Sequence, residues 1–170
     1  MKLKLNKKDK ILCAKYRKGH FEGVLAVINQ FLKTIKPKYM FLGKKDFQQL
    51  YLIKKFIKKK FKTKVVSCKT IRDKKMVALS SRNNLLNNKD LILSSQIAKL
   101  LLKFKQKLSK NFNKINQIKK IKDEINKIEN IDLEYLEIRN KFDLSKKINK
   151  HSFKIFVAYY NKNVRLIDNY

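Results

Sequence analysis

"YMFLGKKDFQQL", residues 39–50, is the stretch on which the fold of this chain turns. Four apolar residues of strand-forming type run into a single glycine, and a helical pattern starts within three residues of it. We read "YMFL" as a short buried strand, Gly43 as the turn, and a helix from about Asp46 to Lys60. Upstream, Phe21, Val24, Leu25, Val27, Ile28, Phe31, Leu32 and Ile35 recur at helical spacing from His20 onward. Pro37 closes that helix, because proline disfavours helical geometry in the residue before it. Downstream, "KVVSC" is a second strand. Helix–strand–helix–strand is the signature of a parallel sheet with packed helices.

After "SSRNNLLNNKD" the texture changes. Lysine-rich amphipathic helices are expected from about Lys89 to Leu108 and from about Asn116 to Ile128. "EYLEIRN" alternates like a strand, and "SFKIFVAYYNKNVRLIDN" reads as a hairpin turning near Asn161 to Asn163. The fold class is therefore α/β, a partial Rossmann-like parallel sheet followed by a small α+β domain. We place the division near Arg82, with residues 1–82 the α/β piece and 83–170 the α+β piece.

The formal charge of +31 and a pI near 10.2 would suit a polyanionic partner. Only Arg17, Arg72, Arg82, Arg139 and Arg165 among the 44 basic residues are arginine, however. Lys, Asn, Ile and Phe, all with A/T-rich codons, abound, while Gly (3) and Pro (1) are scarce and Trp is absent. Mutational bias accounts for such a composition without any ligand. The lysines are spread along every predicted helix, and no helix-turn-helix, zinc or RNP1-like signature accompanies them, so no specific nucleic acid is expected. No apolar run approaches the ~20 residues of a membrane span, and "MKLKLNKKDKIL" lacks the apolar core of a signal peptide. Cys13 and Cys68 are too few for a disulfide framework or a zinc site, so no metal site and a reducing cytoplasm are expected.

Three groups of residues stand out from this background. In "GKKDFQQL", Asp46 can cap the helix while Gln49 reaches back, a capping box. The same residues sit just outside the carboxyl end of a strand, at a helix amino terminus, where nucleotides and small anions bind in open α/β sheets. Lys45 there would face phosphate, and Gln49 could hydrogen-bond a small polar acid. "ALSSRN" sets two hydroxyls before a guanidinium, a compact clamp in which Arg82 can fork onto phosphate oxygens; taken alone it is also an ordinary serine-rich turn. "YRKGHFEGV" places Gly19 and His20 at a helix start, where a lone histidine is commonly structural.

In this order the groups resemble the pantothenate synthetase (pantoate–β-alanine ligase) family, adenylate-forming enzymes of the nucleotidyltransferase superfamily. The family's "R-P-G-H-F-x-G-V", "F-G-E-K-D-x-Q-Q-L", "R-x-x-D-G-L-A-L-S-S-R-N" and "R-L-I-D-N" match "RKGHFEGV", "FLGKKDFQQL", "RDKKMVALSSRN" and "RLIDN". The resemblance covers almost all of this chain and about the last three fifths of a typical member. It implies that Gly43, Lys44, Lys45 and Asp46 contact ATP, as do Leu79, Ser80, Ser81 and Arg82, with Ile71 beside the adenine nucleotide. Gln49 falls on the pantoate-binding glutamine, and Arg17 and His20 border the substrate pocket. Lys45, Ser80, Ser81 and Arg82 are the implied catalytic donors. Residues 1–82 then form the remainder of the nucleotide-binding domain, and 83–170 its lid.

Lys18, Lys44, Lys75 and Met76 depart from the family's proline, glutamate, aspartate and glycine. Met76 is the most consequential, since glycine there permits positive φ or a close backbone approach. The family's amino-terminal P-T-M-G-x-L-H-x-G-H and N-P-x-Q-F motifs do not occur in this sequence. The resemblance implies a two-step reaction of ATP·Mg²⁺ with pantoate and then β-alanine, in a chain incomplete for catalysis by itself. The implied partners are an amino-terminal half or a second copy in a homodimer. A basic RNA- or ribosome-associated protein and a degenerate, non-catalytic relative are the alternative readings.

Overall fold

The computed structural model describes residues 4–170. They form two compact units, one running up to Thr70 and one from Ile71 to Tyr170. Among the described residues no helix is long and apolar enough to cross a membrane.

The first unit contains helix α1 (Cys13–Tyr16), helix α2 (His20–Ile35), strand β1 (Tyr39–Gly43), helix α3 (Phe47–Lys60) and strand β2 (Lys64–Cys68). Helix α2 has the bounds its periodicity predicts. It starts after Gly19, whose φ of 77° is open to glycine and strained for other residues. It ends at Lys36, in left-handed geometry one residue ahead of Pro37. Strands β1 and β2 are parallel neighbours, with Tyr39 opposite Lys64 and Gly43 opposite Cys68. Met40, Leu42 and Val65 turn to one face and pack against Leu25 and Leu32 of α2 and Ile53 and Ile57 of α3. Both helices therefore cover the same face of the sheet. The other face corrects the expectation of a buried "YMFL": Tyr39, Phe41 and Val66 are exposed there. Period-two alternation sends every second side chain away from the helices.

The segment ahead of α2 is held by two side chains of α3. Gln48 is buried, accepting from the Ala14 N–H (3.2 Å) and donating to the carbonyls of Asp9 (3.1 Å) and Ile11 (2.7 Å). Lys55 pairs with the buried Asp9 carboxylate at 2.6 Å. Leu12, between these anchors, is buried with φ 48° and ψ −130°, a backbone geometry that costs of order 1–3 kcal/mol and persists only when its surroundings enforce it.

The second unit begins with a small hairpin. Arg72 bridges Ala78 in antiparallel fashion, and the Leu79 N–H bonds the Ile71 carbonyl at 2.9 Å. Helices α4 (Asn88–Lys110) and α5 (Ile118–Asn126) precede strands β3 (Ile131–Asn140), β4 (Phe153–Asn161) and β5 (Val164–Asn169), which form an antiparallel sheet in the order β3-β4-β5. The β4–β5 turn falls where the sequence places it. One sheet face packs Leu136, Ile155, Val157 and Leu166 against Ile97, Leu101, Phe104 and Leu108 of α4 and Ile121 and Ile125 of α5. Asn87 caps α4 through the Asp90 N–H (2.9 Å), and Asn161 reaches the Asp90 carbonyl at 2.7 Å, which fixes the helix start to the hairpin end.

The units divide ahead of Arg82 because the intervening residues are tied to β5. Arg72 grips Asp168 with both guanidinium nitrogens (2.6 and 2.9 Å) and stacks on Tyr170, 4.6 Å from its ring centroid. Burial works against the Arg72 charge, but the Asp168 carboxylate outweighs it and holds the guanidinium above its ordinary pKa. Arg82 donates to the Arg165 carbonyl at 2.9 Å.

Met76, at the tip of the hairpin, has φ 71°, the positive value that the sequence reading attached to a glycine position. The Asp73 carboxylate accepts from the N–H groups of Lys75 (2.9 Å) and Val77 (2.8 Å), and this clamp enforces the turn. An L-residue in that region costs about 1 kcal/mol, and Met76 is exposed, so it returns little burial. We expect Met76→Gly to stabilise the second unit by up to about 1 kcal/mol, read as a raised urea midpoint at constant m-value.

Burial pushes the Tyr159 phenol up to about 12 and raises Tyr170 well above its usual value, with the Asp168 charge adding to both. A folded pKa above the unfolded value near 10 means stability that is full below pH ~10 and lost as the pH rises through about 12. Alkaline titration followed at 295 nm and by circular dichroism should show the second unit melting in that window, with Tyr159→Phe flattening the loss.

Candidate active site

The sequence-predicted site residues fall into two groups, one on each unit. On the first unit, β1 ends at Gly43, a tight 3-10 turn takes in Lys44, Lys45 and Asp46, and α3 begins at Phe47. This places the turn outside the carboxyl end of a parallel strand, against the N–H groups of a helix start. Helix α2 joins β1 through three residues and so runs back along it, which returns Arg17 and His20 to the same end of the sheet as Gly43. Both side chains are half-buried, and the His20 ring leans on Phe21 at 4.9 Å.

The expected capping box is not formed. Asp46 has φ −89° and ψ 60°, and its side chain makes no cap hydrogen bond. A side-chain cap needs extended backbone at that residue, and the 3-10 turn from Lys44 to Asp46 denies it. The carboxylate of Asp46 is instead exposed beside Lys44 and the half-buried Lys45.

The glutamine pair divides by direction. Adjacent helical residues point about 100° apart, so Gln48 turns inward and is consumed by the segment from Asp9 to Ala14. Gln49 is half-buried and makes no side-chain hydrogen bond among the described residues. Sequence reasoning missed the role of Gln48; its one signal was the doublet itself, since two neighbours on a helix cannot serve one site.

On the second unit, Ser80 caps its own turn, its hydroxyl accepting from the Arg82 N–H at 3.2 Å. Ser81 is exposed, and the Asn83 amide bonds the Ala78 carbonyl at 3.1 Å. Ile71 (64% exposed) and Leu79 (52% exposed) are joined by their backbones and present two bare aliphatic side chains next to the serines.

The arginines of this unit are not equivalent. Arg72, Arg139 and Arg165 each pair with a carboxylate, on Asp168, Glu137 and Glu134 respectively. Arg82 is half-buried, donates one nitrogen to the Arg165 carbonyl, and has no carboxylate partner among the described residues. Its position is fixed and its charge is left uncompensated, the combination a forked phosphate contact requires. The Arg72–Asp168 pair, also missed from sequence, joins "RDKK" to "RLIDN" and so supports the loop that carries Arg82.

The family model described as pantoate-beta-alanine ligase matches residues 1–170. A pantothenate synthetase of Leptospira interrogans is 36% identical over 170 residues, 98% of this chain and 60% of the relative. One from Flavobacterium psychrophilum is 32% identical over 160 residues, 91% of this chain and 56% of the relative. A pantoate-beta-alanine ligase from Francisella tularensis, solved as a complex with beta-gamma ATP and beta-alanine, superposes with a TM-score of 0.77 at 32% identity. That match covers 99% of this chain and 56% of the solved one. Pantothenate synthetase from Thermus thermophilus shares the fold, with a TM-score of 0.89 at 23% identity, over all of this chain and 63% of its own. The chain belongs to the pantoate–β-alanine ligase family and spans a little over half the length of the relatives it matches.

Proposed function

We propose that this chain is the carboxy-terminal part of a pantothenate synthetase, which joins pantoate to β-alanine with ATP as the activating substrate. The observation that carries the reading is the family match along residues 1–170. In this reaction the pantoate carboxylate attacks the α-phosphorus of ATP, forming pantoyl adenylate and releasing pyrophosphate. The β-alanine amine then attacks the acyl carbon, forming the amide and releasing AMP. No covalent protein nucleophile is required, so holding the reactants in line does much of the work.

The residues of this chain divide those tasks. Gly43 lets main chain approach the nucleotide, with Lys44 and Asp46 flanking it, and Lys45 neutralises phosphate charge. Ser80, Ser81 and the unpaired Arg82 charge stabilise the negative charge that builds on the leaving pyrophosphate. Ile71 and Leu79 give the adenine an apolar surface. Gln49, unlike Gln48, keeps its amide for pantoate, and Arg17 and His20 border the acid-binding pocket. Among the described residues no three His, Cys, Asp or Glu side chains gather as a metal cage. These residues do not fit a resident Mg²⁺, and the ion belongs to the reading only as the counter-ion of the ATP phosphates.

The histidine motif and second pantoate glutamine of the family are expected from an amino-terminal half, whether as a separate polypeptide or as a preceding part of the same one. The completed protein acts as a soluble ligase, alone or as a homodimer. The test supplies the complementary segment of a relative in trans and assays AMP release dependent on both pantoate and β-alanine. The 170-residue chain alone should be inactive and the pair active, and full activity from the chain alone would overturn the reading. In the active pair, Arg82→Ala should lower kcat by about 10² to 10³, the loss typical of one preorganised donor.

The two glutamines give a second, sharper expectation. Gln49→Ala should raise the pantoate KM and leave the unfolding midpoint unchanged. Gln48→Leu strands the Ala14 N–H and the Asp9 and Ile11 carbonyls, and should destabilise the first unit by roughly 2 kcal/mol or more. Denaturation and steady-state kinetics on the same two variants separate the roles.

A further inference from the structure

We propose that the cavity at the amino-terminal ends of β1 and β2 binds a medium-chain carboxylate, a plain hydrocarbon chain with one anionic head. The site stands apart from the ligase reading. It lies at the opposite end of β1 from Gly43 and the turn that follows, and none of the candidate active-site residues lines it.

The cavity measures about 520 Å³, within the range of small-molecule sites. It forms where four segments meet: the last turns of α2 and α3 and the residues that lead into β1 and β2. Leu32, Pro37 and Phe61 give it apolar walls. Leu32 is buried, and the Phe61 ring leans on Phe56 at 5.9 Å. The frame is preformed. The Thr63 hydroxyl donates to the Pro37 carbonyl at 2.7 Å, and the Lys64 N–H donates to the Lys38 carbonyl at 2.9 Å. These bonds lock the two strand entries side by side, so a ligand does not have to order them.

Charge decides what can enter. Lys33, Lys36, Lys38, Lys60 and Lys62 line the cavity, and no carboxylate does. The acids of the first unit lie elsewhere: Asp9 pairs with Lys55, Glu22 sits in the first turn of α2, and Asp46 follows β1. The carbonyl ends of α2 and α3 offset some of the positive charge, at about half an elementary charge each. Five ammonium groups outweigh two helix ends, so the field in the cavity stays positive. Lysine is the default of this composition, and these five do not mark a site by their presence. They fix the sign of what the apolar hollow holds, because they repel a cation and add nothing for a neutral chain.

The body of the ligand follows from the walls. Thr63, the one polar side chain there besides the lysines, already donates to main chain. Nothing in the cavity reads the edge of a nucleobase or the hydroxyls of a sugar. The apolar walls and the methylene stems of the lysines suit a hydrocarbon chain instead. Lys38 and Lys60 lean on the rings of Tyr39 and Phe56, at 5.7 and 5.2 Å. Lys33, Lys36 and Lys62 have no carboxylate partner among the described residues and are left to receive the head group.

The experiment titrates decanoate into the 170-residue chain, alone and with the complementary segment of a relative, by calorimetry and thermal unfolding. One site per chain and a raised unfolding temperature are expected. Lys36→Glu with Lys62→Glu should weaken binding about tenfold, as two attractions become repulsions. Lys58→Glu with Lys59→Glu makes the same change of net charge outside the cavity and should leave the affinity unchanged. All four side chains are exposed, so unaltered circular dichroism establishes that the variants fold. Decanol, which has the chain without the charge, and inorganic phosphate, which has charge without the chain, should both bind far more weakly. No binding, several equivalent sites, or equal weakening by the two pairs of substitutions overturns the proposal. So does binding that disappears when the complementary segment is present. Displacement of decanoate by an equal concentration of ATP would make this a nucleotide site, and capture by phosphatidylglycerol vesicles without binding of free decanoate would make it a membrane contact; either result overturns it.

Discussion

Two parallel strands cannot be joined by a tight turn. The chain must cross from the end of one to the beginning of the other, and in the first unit α3 is that crossing. Much else follows from it. The crossing starts at the carboxyl end of β1, so the turn from Lys44 to Asp46 and the first N–H groups of α3 collect there. It places α3 on the face that α2 also occupies, which builds one core and leaves Phe41 on the other side without cover. The polar turn at the end of β1 and the bare sheet face are two consequences of the same connection.

The second unit is organised by where it puts its few acids. The chain has 13 acidic residues against 44 basic ones, and Asp90, Glu134, Glu137 and Asp168 each hold a cation in this unit. Exposed pairs of this kind add little stability, but Arg72 and Asp168 are largely buried, with side chains 16% and 9% exposed. Removing one partner of such a pair leaves an uncompensated buried charge, so the hairpin of residues 71–79 is bound to β5 as a condition of folding. The loop carrying Ser80, Ser81 and Arg82 grows from that hairpin. That loop therefore holds Arg82 in place, donating to the Arg165 carbonyl and without a carboxylate partner among the described residues.

What was legible in the sequence was what depends on periodicity and on proline. Helix α2 has its predicted bounds because apolar spacing and Pro37 are both local. The parallel pairing of β1 with β2 and the hairpin turn beyond Asn161 were legible for the same reason. The burial of "YMFL" was misread because a run of four apolar residues does not say whether a second layer is present to cover its outer face. The capping box failed on a backbone angle: spacing supplies D-x-x-Q, but ψ at Asp46 decides whether the carboxylate can reach. Gln48 binds a segment more than thirty residues away, a contact that no spacing rule reveals. The residue types of the candidate site were visible as sequence; that Arg82 alone among the arginines of its unit keeps an unpaired charge required the structure.

Compositional bias, which first obscures this sequence, becomes informative once the fold is known. Where mutation supplies lysine to every tolerant position, lysine on the exposed side of α3 says nothing about function. Its absence does. Gln48 and Gln49 interrupt a lysine-rich stretch: the Gln48 amide is committed to the scaffold, and the half-buried Gln49 makes no side-chain hydrogen bond among the described residues. "ALSSRN" contains no lysine, and each of its polar residues except Ser81 has an identified hydrogen bond. The flank of α2 keeps Val27, Phe31 and Ile35 at exposed positions where lysine would be the default. In a chain of this composition the informative residues are those that resist the bias, and in the first unit they concentrate at the start of α3, after the end of β1, and on the flank of α2.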